Sequence, residues 1–186
     1  SGDYLEIASN SDFEFDGSFT IETWVNPDNN STSYKSILGH GGYAGSTGWV
    51  VYQYASEIRF IVSPPGGGSL VFSATNAIPA GAWTHVAVTR DSNDDARLFI
   101  NGVLEATVSH TPDYSASEIY VGANVQPGSP GFFFDGQMQN ISLVKGEALY
   151  TDSFDPGFPG VSIDDTVWSG QNLAVSPSAG IDGNAN

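Results

Sequence analysis

Asp12, Glu14 and Asp16, alternating in Asp12-Phe13-Glu14-Phe15-Asp16, are the residues of this chain whose spacing best suits acid–base chemistry. On an extended strand, side chains two apart point the same way, with Cα atoms roughly 6–7 Å apart. A retaining glycosidase needs two carboxyl groups about 5 Å apart. The segment could therefore supply nucleophile and acid if it were a strand lining a groove. As a turn it would only display solvated carboxylates.

The three histidines, His40, His85 and His110, are accompanied by no serine nucleophile motif. His85 alternates with Ala87, which fits a packed sheet residue. His40 sits in Gly39-His40-Gly41-Gly42, which reads as a loop that could touch a ligand. Gly66-Gly67-Gly68 precedes no Lys-Ser and no helical pattern, so it is not a phosphate-binding loop. Cysteine is absent, which excludes disulfide scaffolds, thiolate metal sites and cysteine nucleophiles.

Net charge is −16, from 21 acidic and 5 basic residues. Phosphate binding needs Lys and Arg, so nucleic acid and anionic membranes are not expected as partners, and no apolar run approaches the ~20 residues that membrane insertion needs. Two readings of the acidity stay open. One is a solvated surface suited to salty surroundings. The other is binding of calcium, which takes about six to eight oxygen ligands from carboxylates, amides and carbonyls. The Asp91, Asp94 and Asp95 loop is one cluster of such oxygens.

A sugar site needs an aromatic platform beside a few amide or carboxylate groups. Tyr34, Tyr43, Trp49, Tyr52, Tyr54 and Tyr114 are candidate platforms, as are the rings of Phe132-Phe133-Phe134. Trp24 and Trp83 fall at strand centres and read as core. Tyr52 and Tyr54 share a strand face with Val50, and that face is either a binding surface or a second core.

These residues must be positioned by strands. Period-2 alternation dominates: Phe19, Ile21, Thr23 and Val25 share one face, Glu22 and Trp24 the other. Further strands are predicted over 4–7, 36–39, 49–54, 58–62, 70–74, 83–89, 97–100, 103–108, 118–122, 132–134 and 137–144. Asn101-Gly102 between apolar runs predicts a tight hairpin, because both residues tolerate positive φ. A short helical turn is possible near 145–150. The 22 Gly and 10 Pro suit tight turns. Roughly a dozen short, closely spaced strands predict two packed antiparallel sheets, an all-β sandwich. The domain is read as 1–160. The Gly-, Pro- and Ser-rich stretch 161–186 is read as an extended segment wrapping it, or a linker. The opening at Ser1-Gly2 fits a fragment of a longer chain.

Several strings occur in a recognisable order. Gly2-Asp3-Tyr4-Leu5-Glu6-Ile7 is followed by Phe19-Thr20-Ile21-Glu22-Thr23-Trp24-Val25. Then come Gly81-Ala82-Trp83-Thr84-His85-Val86-Ala87-Val88-Thr89-Arg90, Arg97-Leu98-Phe99-Ile100-Asn101-Gly102 and Phe134-Asp135-Gly136-Gln137-Met138. Over residues 2–154 this resembles a laminin-G-like, concanavalin A-like lectin/glucanase domain. Val144-Lys145-Gly146-Glu147-Ala148-Leu149-Tyr150-Thr151, with Phe154 and Pro156, resembles the end of such domains in phage structural proteins.

The resemblance implies a jelly-roll sandwich that recognises glycans or proteins outside cells, often with calcium. It places a connecting turn at Asp12 to Asp16, where the Glu-x-Asp-x-Glu pattern of laminarinase-like hydrolases is missing. For calcium it points to Asp3 and to Asn140, beside Gln139, where many relatives carry acidic residues and this chain has amides. The expectation is a non-catalytic, lectin-like domain on an extracellular or virion surface, meeting glycans or other virion proteins. Its candidate ligand contacts are His40, Tyr43, Trp49, Asp28, Asn29 and Asn93. The alternatives are a structural decoration domain of a phage capsid or tail, and a glycoside hydrolase.

Overall fold

The computed structural model describes residues 2–41, 48–63, 70–74, 76–115, 117–126 and 129–157. In chain order the strands are β1 (Leu5–Ile7), β2 (Phe19–Pro27), β3 (Tyr34–His40), β4 (Gly48–Tyr54), β5 (Glu57–Ser63), β6 (Leu70–Ser73) and β7 (Thr84–Arg90). They continue with β8 (Asp95–Ile100), β9 (Val103–Ser109), β10 (Ile119–Val121), β11 (Asn124–Gln126), β12 (Ser129–Gly131) and β13 (Gly136–Lys145). A six-stranded sheet in the order β1-β10-β3-β4-β5-β6 faces a five-stranded sheet in the order β13-β2-β7-β8-β9, and β11 and β12 form a separate pair. The pairings are antiparallel. This is the all-β sandwich that alternation predicts.

The core lies between the sheets. Phe19, Ile21 and Val25 point into it from β2, opposed by Leu38, Val51 and Phe60 of the six-stranded sheet. Asn101 (φ 49°) and Gly102 (φ 73°) turn the β8–β9 hairpin through the left-handed region, as Asn-Gly predicts.

Both outer faces are also covered, and this departs from a simple alternation of wet and dry faces. Beyond β13, residues 146–157 run across the outside of the five-stranded sheet. Leu149 N donates to Thr20 Oγ1, which in turn donates to Glu147 O (both 2.9 Å). Phe154 packs on His85 and Phe99, so His85 is a buried sheet histidine. The helical turn expected over 145–150 is a non-helical strap instead. On the six-stranded sheet, Val50, Tyr52 and Ile61 form a second apolar cluster against Phe132.

Two further expectations change. Residues 132–134 are not a strand. The strand there is β12, and Phe132 leaves the extended region at φ 54°. Residues 11–13 form one 3-10 turn. Asp12, Glu14 and Asp16 are exposed, while Phe15 between them is buried and bridges Tyr114. The three carboxylates therefore do not share a strand face. The expected tail 161–186 lies outside the described residues.

One buried group makes stability depend on pH. His110 is buried, and its Nε2 pairs with the Tyr114 hydroxyl. Burial, and secondarily the Arg90 charge, lower its pKa from 6.5 to about 4. The folded state thus favours neutral imidazole. Its contribution is complete above pH 6.5 and is lost as pH falls toward 4. Two units of that window correspond to roughly 2–3 kcal/mol. Urea titrations at pH 7 and 4.5 should show a loss of that size, and His110→Gln should shrink the difference between the two.

Candidate functional site

The polar run after Pro27 builds one end of the sandwich. Asn29 Oδ1 accepts from Ser31 N at 3.1 Å, an Asx-type turn that bends the loop from β2 to β3. Buried Gln53 then ties the loop down, donating through Nε2 to Asn29 O (3.0 Å) and Asn30 Oδ1 (2.9 Å). From across the chain, Asp28 N donates to Asp135 O at 2.9 Å. Gly136 follows at φ 148°, where an added Cβ would lie 2.3 Å from Asn26 O. The Asp135 backbone is therefore held against the end of β2 at a position that side chains other than glycine's hydrogen cannot occupy without a shift.

Asn29 is the hub of the arrangement. Its Nδ2 donates to Asp135 Oδ2 at 2.6 Å, and its Oδ1 accepts from Lys35 Nζ at 2.5 Å. One amide thus bridges an ammonium and a carboxylate, each with the hydrogen-bond polarity it needs. Lys35 also donates to Asn29 O at 3.2 Å and is only 5% exposed.

Two adjoining cavities open beside this hub, sharing Phe134 and Asp135. One, of about 420 Å³, is lined by Asp3, Asp28 and Asp135 and by apolar Leu5, Met138 and Ile141. The other, of about 480 Å³, is lined by Asn29, Ser31, Ser33, Tyr34, Lys35 and Phe133. Tyr34 and Tyr4 are each 38% exposed. Tyr4 packs on Phe133 at 6.1 Å. Arg59 fixes Tyr34, donating to its hydroxyl at 3.1 Å while stacking over Tyr54 at 4.4 Å. The result is a concave surface lined by acceptor oxygens and by partly exposed rings. Such a surface can take hydroxyl hydrogens from a ligand while rings cover its apolar C–H face.

The sequence candidates separate into two groups. Asp28 and Asn29 belong to this cleft. Asn93 does not: it lies in the β7–β8 loop, beside the Phe19–Arg90 pair at the opposite end of β2. Nine residues of strand separate the two ends, about 27 Å. His40 and Trp49 sit across β3 and β4 from one another near that far end, and neither is on a loop. They are 1% and 2% exposed and stack at 5.6 Å inside the core. His40 Nε2 bonds Phe13 O at 2.8 Å, and burial lowers its pKa. Both rings are buried between the sheets and do not reach the surface. Tyr43 lies outside the described residues.

The expected calcium pair also divides. Asp3 lines the carboxylate cavity. Asn140 sits in the β13 bulge at φ 52°, and the lining includes Ile141 but not Asn140. Among the described residues no three acidic or imidazole groups lie close enough to hold an ion. In the Asp91 loop, Asp91 and Asp95 both bind Arg97, at 2.8 and 3.3 Å. Arg97 thus pairs with two of the three carboxylates of that hairpin loop.

A carboxylate–imidazole pair does exist on the five-stranded sheet. His85 Nε2 lies 3.4 Å from Glu22 Oε2, and Tyr150 OH donates to the same oxygen at 2.9 Å. The hydrogen bond from His85 leads the effects that hold the Glu22 carboxyl below its usual range. The ring of Phe154 packs edge-on against this imidazole, so the pair fastens the strap to the sheet.

Lys35, Ser31, Ser33 and Asp135 are the lining residues that sequence reasoning did not single out, whereas Tyr34 was among its aromatic platforms. The Asx-rich run after Pro27 was the one visible signal for Ser31, Ser33 and Lys35.

A family model described as the concanavalin A-like lectin/glucanases superfamily matches residues 1–149. No curated protein sequence matches the chain. Among solved structures, the CBM40 of Ruminococcus gnavus IT-sialidase bound to alpha2,3 sialyllactose superposes with a TM-score of 0.60 at 16% identity. That match covers 79% of this chain and 94% of that one. Mouse laminin alpha1 domains LG4-5 give 0.61 at 16% identity, over 76% of this chain and 39% of that one. A heptameric SAP-like pentraxin from Limulus polyphemus gives 0.57 at 14%, over 75% and 68%. At these identities the likeness is one of fold.

Proposed function

Because the chain belongs to the concanavalin A-like lectin/glucanases superfamily, we propose that it is a non-catalytic recognition domain that binds glycan in the Asp135 cleft. The observation that carries this reading is the Lys35–Asn29–Asp135 bridge. It fixes acceptor oxygens in place before any ligand arrives, and preorganisation of this kind lowers the cost of binding. The rim rings Tyr34 and Tyr4 supply the platform that a sugar face needs. The sialyllactose-bound CBM40 superposes on most of the chain, which supports glycan as the ligand class but not the identity of the sugar. An extracellular or virion surface is the setting proposed for such a domain, and no helix among the described residues is long and apolar enough to cross a membrane.

Catalysis is not part of the proposal, since Asp12, Glu14 and Asp16 sit on a turn away from both cavities. Calcium enters it only as an ion bridging ligand oxygens to Asp3, Asp28 or Asp135. Titration calorimetry against a panel of oligosaccharides, with calcium and with chelator, tests the reading. Saturable binding with the sugar recovered intact is the expected result. Release of shorter sugars would show a hydrolase, and heat from no sugar under either condition would remove the glycan reading.

A second reading has its own observation. Leu5 on the edge strand β1 is 64% exposed, and Ile7 and Ile141 are also exposed. An exposed apolar edge suits contact with another protein subunit, as in a capsid or tail decoration domain. Light scattering showing a stable oligomer, together with no sugar binding, would favour it.

A further inference from the structure

Resting on the glycan reading, we propose that the Asp135 cleft selects neutral sugars and rejects sialylated, uronic and sulfated ones. Asp135 accepts hydrogen bonds from sugar hydroxyls, and Lys35 acts through Asn29 as a positioning residue.

The charges facing the cleft decide this. Asp3, Asp28 and Asp135 line it, and the cation on its lining is Lys35. That ammonium is buried and directed onto Asn29 Oδ1 and O. Arg59, the next cation along the rim, is paired with Glu57 at 2.8 Å and with the Tyr34 hydroxyl. The cations near the cleft are thus engaged by the protein, while Asp3, Asp28 and Asp135 on its lining are exposed. A ligand carboxylate or sulfate there would meet like charge, within a chain of net charge −16. Neutral hydroxyls meet the opposite situation. A carboxylate accepts at both oxygens, and O–H···O⁻ bonds are among the stronger protein hydrogen bonds. Asp135 Oδ2 accepts from Asn29 Nδ2, which fixes the plane of the carboxylate. Lys35 matters because it fixes Asn29.

The test is an array of neutral glucose, galactose, mannose and xylose oligosaccharides beside sialylated, uronic and sulfated ones, followed by calorimetry on matched pairs such as lactose and α2,3-sialyllactose. Neutral sugars should bind, and an acidic residue added at the recognised unit should weaken binding at least tenfold. Asp135→Asn should weaken neutral binding about tenfold or more and narrow the neutral-to-acidic gap. Lys35→Met, with its melting temperature measured alongside, should weaken neutral binding several-fold, and Lys35→Arg should restore it.

Acidic sugars bound equally well or better would overturn the inference while leaving the glycan reading intact. So would a gap that Asp135→Asn leaves unchanged. Lys35→Arg failing to restore what Lys35→Met loses would remove the positioning role. Binding of neither class would overturn the glycan reading and this inference with it.

Discussion

Arg90→Met lowers the unfolding free energy by roughly 3–5 kcal/mol, although the side chain touches no candidate ligand site. Arg90 is 0% exposed. Its Nε donates to Gly17 O at 2.7 Å, Nη1 donates to Pro112 O, and Nη2 donates to Asp113 Oδ1 at 2.9 Å, with Phe15 O at the limit of reach. The guanidinium also lies 5.3 Å from the Phe19 ring centroid. It therefore fastens two irregular segments, 15–17 and 112–113, to β7. Methionine fills much of the volume but leaves backbone carbonyls without donors. The ion pair contributes little, because the Asp113 side chain is 61% exposed, and exposed pairs are worth about 0–1 kcal/mol. Asp113→Ala should accordingly cost under about 1 kcal/mol. Equal losses in the two variants by urea denaturation would show that the pair, and not the carbonyl cage, holds this end together.

Trp49→Ala is the second large effect, at roughly 3–5 kcal/mol. Trp49 stacks on His40 and on Phe60, and meets Phe15 edge-on at 6.0 Å. Truncation opens a cavity between the sheets that rigid strands cannot close. Trp49→Phe should cost much less, since it also removes an indole Nε1–H that is buried without a partner among the described residues. The folded Phe variant should bind sugar as the parent does. A variant that keeps its stability but loses sugar binding would return Trp49 to the ligand-contact role that its sequence position suggested.

That contrast marks how far the sequence can be read. Strand content was legible because alternation and Asn101-Gly102 are local signals. The direction in which Trp49 faces was not. Val50 and Tyr52 on its other side are equally buried, under Phe132, so a period of two could not say which face met water. The strand expected at 132–134 failed for a related reason: an aromatic run reads as strand, whereas the positive φ of Phe132 is imposed by tertiary contacts, including Ser36 N donating to Phe132 O. At the cleft, Asp28 and Asn29 could be named from the polar run after Pro27. Their partner Asp135 lies 106 residues from Asn29, and no spacing rule joins positions that far apart. Lys35 was hidden because a lysine beginning a strand normally reads as solvated surface, and its burial appears only once the Asn29 loop folds over it.

The central claim is that ligand recognition occurs at the Asp135 end of the sandwich. Backbone amide chemical-shift mapping during titration with the tightest-binding neutral oligosaccharide tests it most directly. The account predicts saturating shifts clustered on Asn29, Ser31, Tyr34, Phe133 and Asp135, with Asn93 and Trp49 unmoved. Shifts centred on the far end around Gly41, Trp49 and Asn93, with the Asp135 cleft silent, would contradict it.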